Sequence, residues 1–307
     1  MIPGLLLYKI MQLFAIMILG FLIVKFKIVK STDSLILSKI SLYLLMPASI
    51  LSAFDIELTG DVAKGFILAL VVAVGLHLVF LAIDLAFSRI CKATSVERAS
   101  VMYSNAGNLI FPIVSFVLGG EWVIYSCAFL IVQLAFLWTH GVNLFSEDKK
   151  FHFKKIITNV NLLTIALGLV LLLCRVRLPA FVSEVTSSVG GMLGTVGMLI
   201  AGMTMASVNL MRVIKNARLY LVLIMRMIFT PAITLILLRL LLLVIKIENA
   251  ESILLISFLA CITPSAATVM QFAQIHNKDS ELAVSVNVAT ALISIATMPL
   301  FVWLYFL

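Results

Sequence analysis

Apolar stretches recur along the whole chain, each about as long as the ~20 residues a helix needs to cross the hydrocarbon core of a bilayer. Ten can be marked, at 5–24, 35–54, 62–87, 99–118, 122–144, 156–173, 189–208, 219–244, 253–272 and 282–306, with short polar loops between them. A transmembrane barrel would instead show alternating segments of ~10 residues. Hydrophobic residues make up 63% of the 307 and charged residues only 12%, against ~25% charge in soluble domains. The expected fold is therefore an all-α integral membrane protein with no soluble domain. The first run is followed by Lys25 and Lys27 without a small-residue cleavage pattern, so it is read as a retained helix and not a signal peptide.

The net charge of +8 is topological. Loops after odd-numbered runs carry Lys25, Lys27, Lys30, Lys39, Arg89, Lys92, Arg98, Lys149, Lys150, Lys154, Lys155, Arg212, Lys215, Arg218 and Lys278. The opposite side has Lys9, Lys64, Arg175, Arg177 and Lys246, while Arg226 and Arg239 fall inside the eighth run and are read as snorkelling to opposite faces. This bias places the odd loops in the cytoplasm and both termini outside a plasma (cell inner) membrane. The basic residues form no patch with interleaved aromatics, so no nucleic-acid partner is expected. Cys91, Cys127, Cys174 and Cys261 are scattered without metal-ligand spacing. No Walker loop, nucleophile elbow or metal-binding helix motif occurs, which argues against an enzyme and implies no cofactor. Uphill transport would have to draw on an ion gradient or the membrane potential.

Polar interruptions carry the functional signal. Tyr103-Ser104-Asn105-Ala106-Gly107-Asn108 and Pro112 lie inside the fourth run, and Thr263-Pro264-Ser265 with Thr268 inside the ninth. Irregular backbone at membrane depth is tolerated only where protein or a water-filled cavity satisfies it, so these segments point to a solute site near the midplane. Pro112 and Pro264 are separated by five runs, an odd number, so two related halves, 1–150 and 151–307, would insert with opposite orientation. Two ordinary proline kinks are the alternative. Asn105 and Asn108 share a helix face at three-residue spacing, and a broken helix offers its positive N-terminal end to an anion. Thr263, Ser265, Thr268 and the mid-helix carboxamide Gln133 are either ligands or interhelical glue.

Ionisable groups inside spans are candidates by default. His77 and Asp84 share a face of the third run, where they form a possible proton-coupling pair, against an Asp84 that is solvated or paired with an arginine. His140 and Asn143 are read as close to a loop. No adjacent pair of intramembrane carboxylates occurs, which disfavours cation exchange.

The segment Asn105-Ala-Gly107-Asn108-Leu-Ile-Phe-Pro112 resembles the crossover motif of the auxin efflux carrier family, which includes plant PIN carriers and bacterial malate and malonate permeases. Leu45-Met46-Pro47-Ala48, Ala201-Gly202-Met203-Thr204-Met205-Ala206, Pro264-Ser265-Ala266, Ala289-Thr290 and Thr297-Met298-Pro299 are similar to further motifs of that family. The resemblance implies ten transmembrane helices in two inverted five-helix repeats with broken crossover helices four and nine, an architecture similar to sodium–proton antiporters and bile-acid symporters. It also implies homodimers, organic-anion transport, a substrate-facing role for Asn105, and Pro112 and Pro264 as the two crossover prolines.

The expected function is alternating-access transport of a small organic anion within membrane lipid, by uniport or with a coupling ion. One alternative is a sodium-coupled symporter of the bile-acid-carrier type, with sodium held by freed carbonyls and Thr263, Ser265 or Asn287. Another is a non-transporting ligand sensor.

Overall fold

A computed structural model describes residues 2–146, 158–206 and 216–307. Lys149, Lys150, Lys154, Lys155, Arg212 and Lys215, part of the charge bias above, lie outside the described residues, as do the ends of two apolar runs.

The described residues form helices throughout: α1 (Ile2–Lys25), α2 (Ser31–Phe54), α3 (Gly60–Cys91), α4 (Ser95–Met102), α5 (Ala106–Val117), α6 (Gly120–Phe145), α7 (Val160–Leu173), α8 (Ala180–Met205), α9 (Ala217–Leu242), α10 (Ala250–Ile262), α11 (Ala267–Ile275) and α12 (Ser280–Tyr305). Seven of them, α1 to α3, α6, α8, α9 and α12, are long and apolar enough to cross a membrane. α5, α7 and α10 are shorter apolar helices of 10–17 residues. The fourth and ninth runs of the sequence are each split in two, as α4 and α5 and as α10 and α11.

Local chemistry sets several boundaries. Thr94 and Glu97 form a reciprocal capping box that starts α4. Thr59, Asn159, Asn216 and Asp279 accept first-turn amide hydrogens ahead of α3, α7, α9 and α12. Widened turns of the π type interrupt α2 at Ser41–Leu45, α6 at Leu137–Gly141 and α9 at Met225–Phe229. Such turns often accompany functional positions.

The helices pack in two groups. α1 lies along α8, and α2 packs on α7 and α8; α3 packs on α6 and α10, α9 on α10 and α12, and the two split helices fill the middle of this second group. α1 and α8 touch α5 and α12 across the seam, and α2 and α7 touch α6. Gly20 and Gly202 permit the α1–α8 approach: a Cβ at Gly20 would stand 2.5 Å from the Leu199 carbonyl, and one at Gly202 would overlap the Met17 carbonyl. Small residues at a close backbone approach are the usual means of associating helices in lipid.

Candidate functional site

The two helix breaks meet. Thr263 precedes Pro264 and is extended, at φ −65° and ψ 159°, as the proline ring requires of its predecessor. Across from it Tyr103 is extended at φ −99° and ψ 125°. The Asn105 amide donates to the Pro264 carbonyl at 2.8 Å and the Ala266 amide to the Tyr103 carbonyl at 3.0 Å, so Ser104 and Ser265 face each other as a two-residue antiparallel bridge. Backbone groups released by each broken helix are thereby satisfied by the other.

Side chains complete this accounting. Gln133 of α6 clasps Ser104: the Ser104 hydroxyl donates to Gln133 Oε1 at 2.6 Å and Gln133 Nε2 donates to the Ser104 carbonyl at 2.8 Å. Asn287 of α12 donates to the Ser265 carbonyl at 2.9 Å, and the Thr290 hydroxyl accepts from the Ser265 amide at 3.2 Å. Thr263 donates its hydroxyl to the Ala260 carbonyl at 3.0 Å. Gln133, Thr263, Ser265 and Asn287 thus hold the crossing together.

Arg226 corrects the expectation of a snorkelling side chain. It is fully buried in the widened turn of α9, and its guanidinium donates to the carbonyls of Val101 (3.1 Å), Cys261 (2.9 Å) and Thr263 (2.7 Å). Those are the carbonyl ends of α4 and α10. One cation therefore caps both half-helices, where the helix dipoles present negative ends. Among the described residues it has no carboxylate partner. Arg239 is exposed and caps the Tyr305 carbonyl at 2.8 Å.

The opposite ends of the breaks open on a cavity of about 100 Å³ between the two helix groups. Asn105, Asn108, Gln133 and Thr268 line it, four of the residues expected at the site. Ser41 of α2, Asn161 of α7 and Gln271 of α11 line it as well and escaped the sequence reading. Gln271 stands three residues after Thr268, so its helical spacing could have flagged it; Ser41 and Asn161 are isolated polar residues in other runs and carried no such signal. The Ser41 hydroxyl and Asn161 Oδ1 are buried without a hydrogen-bond partner. The first turns of α5, through Gly107 and Asn108, and of α11, through Ala267 and Thr268, also face the cavity. Their amides have no intrahelical acceptor. No charged side chain lines this space among the described residues. Asn105 also borders a second, small cavity of about 20 Å³ with Pro264 and Asn287.

Two expectations are not realised as stated. Pro112 does not sit at the crossing: the fourth run breaks at 103–105, and Pro112 lies inside α5, packed against Gly194 of α8, where it lines a separate cavity of about 400 Å³ with Lys9, Ser49 and Ser115. Only Pro264 is at a break. His77 and Asp84 do not act as a pair either. His77 is buried among Phe80, Phe129 and Phe136, its Nδ1 within 2.8 Å of the Ala73 carbonyl. Asp84 is fully buried and bound in a fork by Arg98, from Nε at 2.9 Å and Nη2 at 2.6 Å, with His140 Nε2 at 3.3 Å. The arginine-paired reading of Asp84 holds, with Arg98 as its partner, and His140 is part of this cluster.

With this geometry established, residues 5–155 match a family model described as membrane transport protein. Through its first half, the chain belongs to that family. It is the family of the auxin efflux carriers, which the motifs around Asn105 resemble. No curated protein matches the chain. For this membrane transport protein the match runs from α1 through α6, and so includes the first break, Gln133 and the Asp84 cluster; the 263–266 side of the crossing lies beyond it.

Proposed function

We propose that this membrane transport protein is a secondary carrier of small organic anions, moving a carboxylate by alternating access around the Ser104/Ser265 crossing. One observation carries the reading: the N-terminal turns of α5 and α11 converge on a cavity whose largely apolar wall carries several carboxamides and hydroxyls and, among the described residues, no carboxylate. Helix N-termini favour anions through free amides and the dipole. The amides of Asn105, Asn108, Asn161 and Gln271, with the Thr268 and Ser41 hydroxyls, can donate to carboxylate oxygens from several sides. The unpartnered Ser41 hydroxyl is a donor left for a ligand, while the unpartnered Asn161 Oδ1 can only accept and suits a bridging water.

The cavity's walls come from both helix groups, Ser41 and Asn161 from one and Asn105, Gln133 and Thr268 from the other. Sliding of one group against the other, in the manner of an elevator, would change which side the site faces. In this reading the chain comprises ten spans, with residues 1–150 and 151–307 as inverted five-helix repeats. Both termini lie outside the cell inner membrane, and the carrier works as a homodimer.

Thermal shift of the purified protein against small mono- and dicarboxylates, in sodium and in potassium, tests this directly, because a ligand that binds only the folded state stabilises it. Saturable stabilisation by at least one acid is expected. Stabilisation by none would contradict the reading, and dependence on sodium would identify the coupling ion.

A further inference from the structure

We infer that His140, with Asp84, Arg98 and Tyr103, forms a proton-binding site wired to the helix crossing. It rests on the carrier reading for its consequence, proton coupling, but its geometry and its test require no substrate.

The cluster joins three helices, with Asp84 and Tyr103 buried and Arg98 and His140 partly exposed. Asp84 of α3 is neutralised by the Arg98 fork from α4, and its Oδ2 lies 3.3 Å from His140 Nε2 on the widened turn of α6. Tyr103 closes the cluster: its hydroxyl stands 2.9 Å from His140 Nδ1 and 3.0 Å from the Phe136 carbonyl. The same residue's backbone carbonyl accepts from the Ala266 amide in the crossing. A side chain that reads the state of His140 therefore belongs to a residue whose backbone is part of the substrate-side bridge.

Both protonation states of His140 are satisfied without moving a heavy atom. In the neutral form, Nε2–H donates to Asp84 and Nδ1 accepts from the Tyr103 hydroxyl. When a proton binds Nδ1, that N–H donates to the Tyr103 oxygen and the tyrosine hydrogen turns to the Phe136 carbonyl. One proton enters from water, no other group changes charge, and the hydroxyl rotor reverses. Histidine is the side chain whose charge ordinarily changes between about pH 5 and 8, and with 21% of its side chain exposed the His140 ring is not sealed inside the protein. Among the described residues at this end, Glu97 of α4 lies 3.7 Å from Arg218 and His276 stacks on Phe145, so neither is engaged with His140.

The test combines histidine-selective ¹⁵N NMR with hydrogen exchange of the crossing, in nanodiscs, between about pH 5 and 8. The chain has four histidines, so His140→Gln assigns the His140 signal by its loss. The expected result is a His140 resonance that changes from the Nε2–H tautomer to the doubly protonated ring. Exchange of the Asn105 and Ala266 amides, corrected for intrinsic rate, should change with it by about threefold or more. Tyr103→Phe should keep the titration and abolish the exchange response. A His140 resonance that does not titrate overturns the proposal on wild-type protein alone, as does an exchange response that survives in His140→Gln. A response that survives in Tyr103→Phe overturns the link through the tyrosine. Because no substrate enters, a negative result here leaves the carrier reading standing, and failure of transport leaves this one standing.

Discussion

Arg226 explains how two broken helices coexist in one apolar interior. A buried guanidinium without a carboxylate carries a desolvation cost of several kcal/mol, offset here by three carbonyls that would otherwise lack donors. Arg226→Leu removes the charge but strands those carbonyls, each at a cost of ~1–3 kcal/mol. It should therefore lower the melting temperature or abolish folded yield, whereas Arg226→Lys, with fewer and less rigid donors, should recover only part. Ser41 should behave in the opposite way. Its hydroxyl has no partner, so Ser41→Ala should leave the ligand-free melting temperature equal or higher while weakening carboxylate binding. Asn105→Ala should weaken binding by roughly 1–3 kcal/mol with the fold retained, as read by ligand titration of the thermal shift.

Contacts between helices make separate demands. The α1–α8 approach depends on Gly202, and Gly202→Leu, which forces a side chain into the Met17 backbone, should separate the two helices and reduce folded, monodisperse protein; normal yield and melting would contradict the packing account. A clasp just past the end of α2 joins it to the start of α8. Asp55 accepts from Arg177 Nε (3.0 Å), the Leu178 amide (3.2 Å) and the Ser183 hydroxyl (2.6 Å). Burial alone would raise its carboxyl pKa, but the Ser183 and Leu178 hydrogen bonds and the Arg177 charge together hold it below the usual carboxylate value. A lowered folded-state pKa gives stability that is present above the unfolded value of about 4 and is lost as pH falls through the folded one. Melting temperature measured down an acid series should therefore fall more steeply below about pH 4 in wild type than in Asp55→Asn.

Much of the architecture was legible because hydrophobic length and proline chemistry are local. Run lengths marked the seven helices long and apolar enough to cross a membrane, and Thr263-Pro264 located the second break through the constraint a proline places on its predecessor. The first break was located only to the stretch from Tyr103 to Pro112, and Pro112 was given a part in it because a proline inside a helix and a proline at a break look alike in sequence. What breaks the fourth run is the pairing of Tyr103 and Asn105 with a segment some 160 residues away, and that pairing is visible only in the fold. Arg226 and His140 were missed for the same reason: their partners come from other helices. Of the cavity lining, Asn105, Asn108, Gln133 and Thr268 could be picked out in advance, whereas Ser41 and Asn161 enter only because α2 and α7 close the cavity. The central claim is that this cavity carries a small carboxylate across the membrane, and flux into sealed proteoliposomes tests it most directly. Saturable uptake of a radiolabelled acid such as malonate or malate, from the panel that stabilises the protein, should appear with wild type and fall about tenfold or more in Asn105→Ala, the kinetic equivalent of ~1.4 kcal/mol. Saturable binding of that acid with no flux above protein-free vesicles would contradict the account and favour a ligand sensor.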